Sequence, residues 1–228
     1  MNKIKSLFID IDGTLVDCLK EVTEPNPMFT VLFEAAKQEG KLPEEEITKR
    51  IHHVKHFVHW WHWADFIVAL ELNPKKFWDF AYEFEKEYML CSGKEIPYVL
   101  NQLKSEGYGL YITSNNPNCG ILHKLRLIGL GTNQAAPLFN QLLGCQEMKG
   151  LKWDLYYWKN ALAHTGLDGE EVATIGDDLK CDGYMPLEAG ISRAFIVNRK
   201  MDVNRKQEND RITIVKDFNE ILQILKEK

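Results

Sequence analysis

Short apolar runs alternate with amphipathic helical patterns along most of this chain. The apolar runs expected to form strands occupy residues 3–10, 108–112, 172–176 and 193–197, with a candidate edge strand at 212–215. Helical patterns occupy residues 96–107, 151–166 and 217–228, and the first two end in glycine. Strands that alternate with helices predict a parallel sheet of about five strands in an α/β fold.

The stretch between the first and second predicted strands has a different pattern. MFTVLFEAAKQEG has helical spacing with a stop at Gly40, and Pro43 is followed by three glutamates that favour the start of a helix. Residues 75–88 are also helical in pattern, and no clear strand interrupts the region. We therefore expect a Rossmann-like core formed by residues 1–16 and 96–228, with a helical cap domain, residues 17–95, inserted into it.

Composition and charge narrow the functional classes. The chain has 228 residues, 45% of them hydrophobic and 27% charged, which is typical of a globular protein. Its net charge of -5 offers no basic field for nucleic acid or an anionic membrane, and no apolar run approaches the ~18 residues of a membrane span. Five scattered cysteines without a C-x-x-C pair, and a first strand that starts too early for a signal peptide, favour a cytoplasmic location.

Acidic and hydroxyl side chains follow three of the predicted strands. Asp10 and Asp12 end the first strand, Ser114 follows the second, and Asp177 follows VATIG. The carboxyl ends of parallel strands line one crevice, so these side chains are expected to meet. Crowded carboxylates repel one another unless a cation is present, and oxygen ligands of this kind suit Mg²⁺. The simpler alternative is that the Asp-Gly pair only forms a turn.

At these positions the sequence resembles the haloacid dehalogenase-like hydrolases, most of which are Mg²⁺-dependent phosphatases that act through a phospho-aspartate. The D-x-D-G-T motif of that family matches Asp10 to Thr14, and the G-D-x-x-x-x-D motif matches Gly176 to Asp182. The hydroxyl motif at the end of the second strand matches Ser114, with Thr113 as the alternative.

The motif lysine of the family is expected at the start of a helix, nine residues before an Ala-Leu pair. Lys152 has this spacing from Ala161-Leu162. Trp153 stands where the family usually has proline, so Lys149 remains an alternative.

The resemblance implies a role for each matched residue. Asp10 would be the nucleophile and Asp12 the general acid and base, while Ser114 and Lys152 would stabilise the phosphoryl group. The implied metal ligands are Asp10, Asp177 and the backbone carbonyl of Asp12. Supporting roles would fall to Asp178 and Asp182, and substrate contacts to Thr14, Thr113 and Asn115. The acid at position 12 favours phosphoryl transfer over carbon–halogen cleavage, since that position is not acidic in the dehalogenase branch.

The segment HHVKHFVHWWHW, residues 52–63, holds five of the seven histidines and three of the six tryptophans. His52, His56 and His59 share one helical stripe, and two histidines four residues apart can share a metal ion. A second interpretation is that this is an amphipathic cap helix whose aromatic side chains only pack. A third is that Trp60 and Trp63 contact the substrate from the cap, because helical inserts in this family act as lids.

These observations predict a Mg²⁺-dependent phosphatase that acts on a small phosphorylated metabolite, with neither nucleic acid nor a membrane as a partner, and they leave the oligomeric state open. A phosphomutase of the same family is the alternative within the same chemistry. A non-catalytic binding module on the same fold is the alternative of another class, although a binding protein has no need for four charged groups at Asp10, Asp12, Lys152 and Asp177.

Overall fold

The computed structural model describes residues 3–18, 27–57, 63–130 and 137–227. The chain forms two compact units, one of Met1–Asp17 with Cys91–Lys228 and the other of Cys18–Leu90. The sequence placed the first boundary one residue earlier and the second at residue 95. None of the helices among the described residues is both long enough and apolar enough to cross a membrane.

Strands and helices alternate through the larger unit, and the elements of both units are numbered together in chain order. The strands are β1 (Ser6–Ile9), β2 (Val16–Cys18), β3 (Met89–Cys91), β4 (Gly109–Thr113), β5 (Gln141–Leu143), β6 (Val172–Gly176), β7 (Arg193–Val197), β8 (Arg205–Gln207) and β9 (Ile212–Val215). The helices are α1 (Pro27–Glu39), α2 (Glu44–Phe57), α3 (Trp63–Ala69), α4 (Pro74–Glu85), α5 (Ile96–Ser105), α6 (Asn118–Leu127), α7 (Cys145–Met148), α8 (Leu155–Thr165), α9 (Met185–Glu188) and α10 (Phe218–Lys226).

Seven of the described strands form one sheet in the order β5-β4-β1-β6-β7-β9-β8. All neighbouring pairs are parallel except β8 and β9, so the predicted α/β fold with a parallel sheet is confirmed. The predicted edge strand, β9, lies inside the sheet. The two edges are β5 and β8, neither of which the sequence predicted. Strand β8 consists of Arg-Lys-Gln, all exposed, and carries no apolar pattern for a sequence to reveal. Charged residues on an edge strand hinder pairing with another chain.

The central position of β1 determines where the acidic residues lie. Ile9 pairs with Ile112 of β4 on one side and with Ile175 of β6 on the other. The Asp10 amide then donates a hydrogen bond of 2.8 Å to the carbonyl of Ile175. The residues that follow these three strands therefore share one end of the sheet, because parallel strands place their carboxyl ends together.

The core beside the sheet is aromatic and closely packed. Phe8 of β1 contacts Tyr111 edge-on, and helix α8 buries Tyr157 and Trp158 completely against the same cluster. This packing fixes α8 on the sheet, and the loop that precedes α8 is held beside the end of β1. Burying aromatic side chains contributes roughly 1.5–3 kcal/mol each.

The second unit is helical and has its own hydrophobic core. Helices α1, α2, α3 and α4 bury a cluster that includes Leu32, Ile47, Phe66 and Phe77. Strands β2 and β3 pair as a two-stranded sheet, and the boundaries between the units fall within them. The sequence missed these strands because each has only three residues, too few for a periodic pattern.

Candidate active site

Asp10 lies buried at the end of β1 and is held by two donors. Its side chain is 7% exposed; Oδ2 accepts a hydrogen bond of 3.0 Å from the hydroxyl of Thr14, and Oδ1 accepts one from Lys152 Nζ. Burial raises the pKa of Asp10 to about 7 although Lys152 opposes the rise, and the nearby Asp182 and Asp12 carboxylates add to it. A carboxylate must be ionised to attack an electrophile, so further positive charge at this position would favour the reactive form.

Lys152 bridges two buried carboxylates. Its ammonium group pairs with Asp10 and, at 2.6 Å, with Asp182. Burial alone would lower the pKa of Lys152, but the two carboxylates outweigh burial and hold it well above its ordinary value. Lys149, the alternative, is exposed. Lys152 lies in the loop before α8 rather than opening the helix, because Asp154 is the N-cap residue with an extended backbone.

Asp182 is fixed by the turn that follows β6. It is fully buried in a π-helical segment, Leu179–Tyr184, and its backbone carbonyl accepts a hydrogen bond of 2.6 Å from Thr174. A Cβ on Gly176 would lie 2.0 Å from Asp182 Cγ, so only glycine fits there. Asp178 begins the same segment and caps it by accepting a hydrogen bond of 2.6 Å from the amide of Cys181. The two predicted supporting acids therefore have different positions: Asp182 pairs with Lys152, and Asp178 caps the start of the π-helical segment.

Three acids come close enough to share a cation. Oxygens of Asp10, Asp177 and Asp182 lie within 4.8 Å of one another. Desolvation and the neighbouring Asp10 carboxylate raise the pKa of Asp177 to about 6. Such a donor set of carboxylate oxygens fits Mg²⁺, which prefers hard oxygen ligands. The group includes Asp182, to which the resemblance gave a supporting role, and the Asp12 backbone carbonyl stays a predicted ligand.

Asp12 projects beyond the strand end with both carboxylate oxygens occupied by donors. Asn116 Nδ2 donates a hydrogen bond of 2.6 Å to Oδ2, and Lys124 Nζ pairs with Oδ1. Gly13 makes the turn possible, because its φ of 74° favours glycine and a Cβ there would lie 2.2 Å from Asp177 Oδ2. The turn separates Asp12 from Asp10, so the two acids have different surroundings.

The end of β4 supplies a second group of polar side chains. The Ser114 hydroxyl is buried and accepts hydrogen bonds from the Asn116 backbone amide and side chain, at 3.0 and 3.1 Å. The Thr113 hydroxyl is also buried and has no hydrogen-bond partner among the described residues. Asn115, for which substrate contact stays a prediction, accepts a hydrogen bond of 2.7 Å from the Lys152 backbone amide, which fixes the loop that carries this lysine.

Of the two cap tryptophans predicted to contact substrate, Trp63 lies among the described residues. Trp63 is 4% exposed and packs against Phe77 and Trp78, with ring centroids 5.5 Å away in each case. The structure thus favours the packing interpretation for Trp63. Trp60 and His59 lie outside the described residues. His52 and His56 lie on α2 and are exposed.

Sequence reasoning missed four residues that hold the site together. Lys124 and Asn116 bind Asp12, the Tyr157 hydroxyl accepts a hydrogen bond of 2.9 Å from the Ser114 amide, and Arg199 binds the carbonyls of Gly13 and Thr14 at 3.0 and 2.8 Å. Asn116 could have been noticed, since it belongs to the polar turn after β4. The other three come from helices or loops distant in sequence, and nothing in their local pattern marks them.

Comparison with known proteins agrees with this architecture. The family model for haloacid dehalogenase-like hydrolases matches residues 4–190. The chain therefore belongs to the haloacid dehalogenase-like hydrolases. A search of curated proteins finds no significant match.

Several solved structures share the fold over nearly the whole chain. A HAD phosphatase from Thermococcus onnurineus is 20% identical and has a TM-score of 0.65, covering 97% of this chain and 98% of its own. A putative beta-phosphoglucomutase from Thermotoga maritima is 21% identical with a TM-score of 0.58, and a 2-haloacid dehalogenase from Pseudomonas syringae pv. Tomato DC3000 is 16% identical with a TM-score of 0.63. Each of the latter two covers 98% of this chain and 99% of its own. These likenesses establish the fold, whereas the reactions that the names of these proteins indicate differ.

Proposed function

We propose that this protein is a Mg²⁺-dependent phosphatase that hydrolyses a small phosphorylated metabolite through an aspartyl phosphate on Asp10. The observation that carries the proposal is the pair of acids at the end of β1 with separate surroundings. Asp10 is buried beside Lys152, whereas the side chain of Asp12 is 49% exposed and held beyond the strand end. A nucleophile and a separate acid–base group are what a two-step phosphoryl transfer requires.

In the first step a carboxylate oxygen of Asp10 attacks phosphorus, and the bond from phosphorus to the leaving oxygen breaks. Protonated Asp12 gives its proton to that oxygen. In the second step water attacks the aspartyl phosphate, Asp12 takes a proton from the water, and inorganic phosphate leaves Asp10 free. The net reaction consumes one water and releases an alcohol and phosphate.

The remaining side chains stabilise charge on the transferring group. Ser114 and Thr113 are the hydroxyl donors available at the end of β4, and Lys152 offsets the charge of Asp10. Asp10, Asp177 and the Asp12 carbonyl would hold Mg²⁺, which supplies positive charge that shields the nucleophile from the phosphate it attacks. The proposed contacts of the cap with substrate concern Trp60, since Trp63 lies in a hydrophobic core.

Two other functions deserve direct comparison. The similar structures include dehalogenases, but an acid at position 12 supplies a proton that carbon–halogen cleavage does not need. A phosphomutase would use the same residues and return the phosphoryl group to another position of the substrate, and one similar structure carries such a name.

The test is a screen of phosphorylated sugars, nucleotides and small acids, with Mg²⁺ and with a chelator, in parallel with chloride release from a 2-chloro acid. We expect Mg²⁺-dependent phosphate release, lost in Asp10→Asn and kept in Asp168→Asn. The control suits this purpose because Asp168 caps a short turn and asparagine caps equally well. Chloride release without phosphate release would contradict the proposal, and transfer of phosphate within a sugar phosphate would favour the mutase.

A further inference from the structure

Lys124 is an unexpected cation at the site. It lies on α6, and its side chain is only 12% exposed although lysine is rarely buried without a partner. The one carboxylate within ion-pair distance of Lys124 among the described residues is Asp12. Most of the Lys124 side chain is therefore buried, and its ammonium group pairs with Asp12.

The two acids at the end of β1 thus have separate cations. Lys152 pairs with Asp10 and Asp182, and Lys124 pairs with Asp12. Asn116 holds the second oxygen of Asp12 from the turn after β4, and it is itself 8% exposed. Two donors from different elements fix the plane of the carboxylate, whereas one donor would leave it free to rotate about the bond to Cβ.

We propose that Lys124 is a positioning residue for Asp12, which it aims at the leaving oxygen of the substrate. This inference rests on the proposed phosphatase function and assigns a residue that the family motifs do not include. The two donors leave lone pairs of the carboxylate available, because an ionised carboxylate offers about four acceptor positions. Asp12 can therefore carry a proton to the leaving oxygen while Lys124 and Asn116 still hold it.

The dependence of the reaction on the leaving group separates positioning from a merely structural role. When the bond to phosphorus breaks, its electron pair stays on the leaving oxygen, and a basic oxygen needs the proton of Asp12 more than a weakly basic one. General acid catalysis typically contributes about 10²–10⁴-fold, and the contribution shrinks as the leaving group improves. Misplacement of Asp12 should therefore slow a poor leaving group selectively, whereas partial unfolding slows every substrate equally.

The experiment compares phenyl phosphate with 4-nitrophenyl phosphate, two aryl esters of similar shape whose leaving groups differ in basicity. Steady-state kcat and KM are measured with Mg²⁺ for the wild type, Lys124→Met, Lys124→Gln and Lys124→Arg. The matched control is Lys104→Met, because Lys104 on α5 also donates to one polar side chain, that of Asn140 at 2.7 Å, at an exposed place. Circular dichroism and the thermal midpoint report the folding of each variant.

We expect Lys124→Met and Lys124→Gln to lower kcat on phenyl phosphate about tenfold more than on 4-nitrophenyl phosphate, with KM nearly unchanged. Lys124→Arg should recover much of the difference, and Lys104→Met should behave as the wild type. Equal losses on both esters, or no loss, in a folded neutral variant would overturn the inference and leave the phosphatase proposal intact. A wild type inactive on both esters and in the metabolite screen would overturn the two together.

Discussion

Replacing Lys152 by methionine removes the cation that lies between two buried acids. The Lys152 side chain is 4% exposed, and its ammonium group pairs with Asp10 and Asp182, whose side chains are 7% and 1% exposed. Methionine keeps much of the length and apolar character of the stem, so the change removes mainly charge. The two carboxylates then lie close together in the interior without compensation.

The expected loss of stability is large and depends on pH. Breaking a buried ion pair typically costs about 3–5 kcal/mol, because the remaining charge is left without a partner. The pKa of Asp10 is already about 7 with Lys152 present, against an ordinary 3.8, so the folded state binds more protons than the unfolded state between these values. The contribution of Asp10 to the free energy of unfolding therefore falls as the pH rises from about 4 to about 7. Without Lys152 the pKa rises further, and the loss extends to higher pH.

Urea denaturation in the presence of a chelator measures this effect. We expect the free energy of unfolding of Lys152→Met to lie about 3 kcal/mol or more below the wild type at pH 8, and clearly closer to it at pH 5, where the acids can be neutral. Lys159→Met is the matched control, because Lys159 is exposed on α8, and it should change stability by no more than about 0.5 kcal/mol. The same difference at both pH values would refute the argument that uncompensated charge is the cause.

Three further predictions concern the turn at Gly13 and the acids that would bind Mg²⁺ beside it. Gly13→Ala should weaken Mg²⁺ binding at least about tenfold, because the added Cβ would lie 2.2 Å from Asp177 Oδ2. The control Gly40→Ala has a φ of 67° but nothing within 4 Å of its Cβ, so it should lose about 1 kcal/mol of stability and no Mg²⁺ affinity. Equal Mg²⁺ affinities of the two variants in titration calorimetry would contradict this prediction. Mg²⁺ affinity should fall as the pH drops from 8 to 6, because Asp10 and Asp177, with pKa values of about 7 and 6, must lose protons; calorimetry in two buffers of different ionisation enthalpy should reveal their release. Arg199→Met should lower kcat by about tenfold or more, because the carbonyls of Gly13 and Thr14 would lose the side chain that holds them. An unchanged kcat would show that Arg199 does not position this turn for catalysis.

The sequence alone was sufficient for the fold class and for the strands that the acidic and hydroxyl residues follow. Apolar runs of four or five residues, such as Val172–Gly176, are long enough to predict a buried strand, and the acids that follow them predict a shared edge. The edge strands β5 and β8 and the paired strands β2 and β3 were missed because each has only three residues and buries too little apolar surface to leave a pattern.

Only the tertiary structure decided which side chains touch. Local sequence predicts that Asp12 follows a strand, but the position of Lys124 against it depends on how α6 packs, and that of Arg199 on the path of a loop more than 180 residues away. The same holds for Asp182, which reaches Lys152 because the π-helical turn and Gly176 admit it. A short stretch of sequence shows the periodicity of its apolar residues and so predicts which of them are buried. Ion pairs between distant segments depend on tertiary packing, which no short stretch of sequence contains.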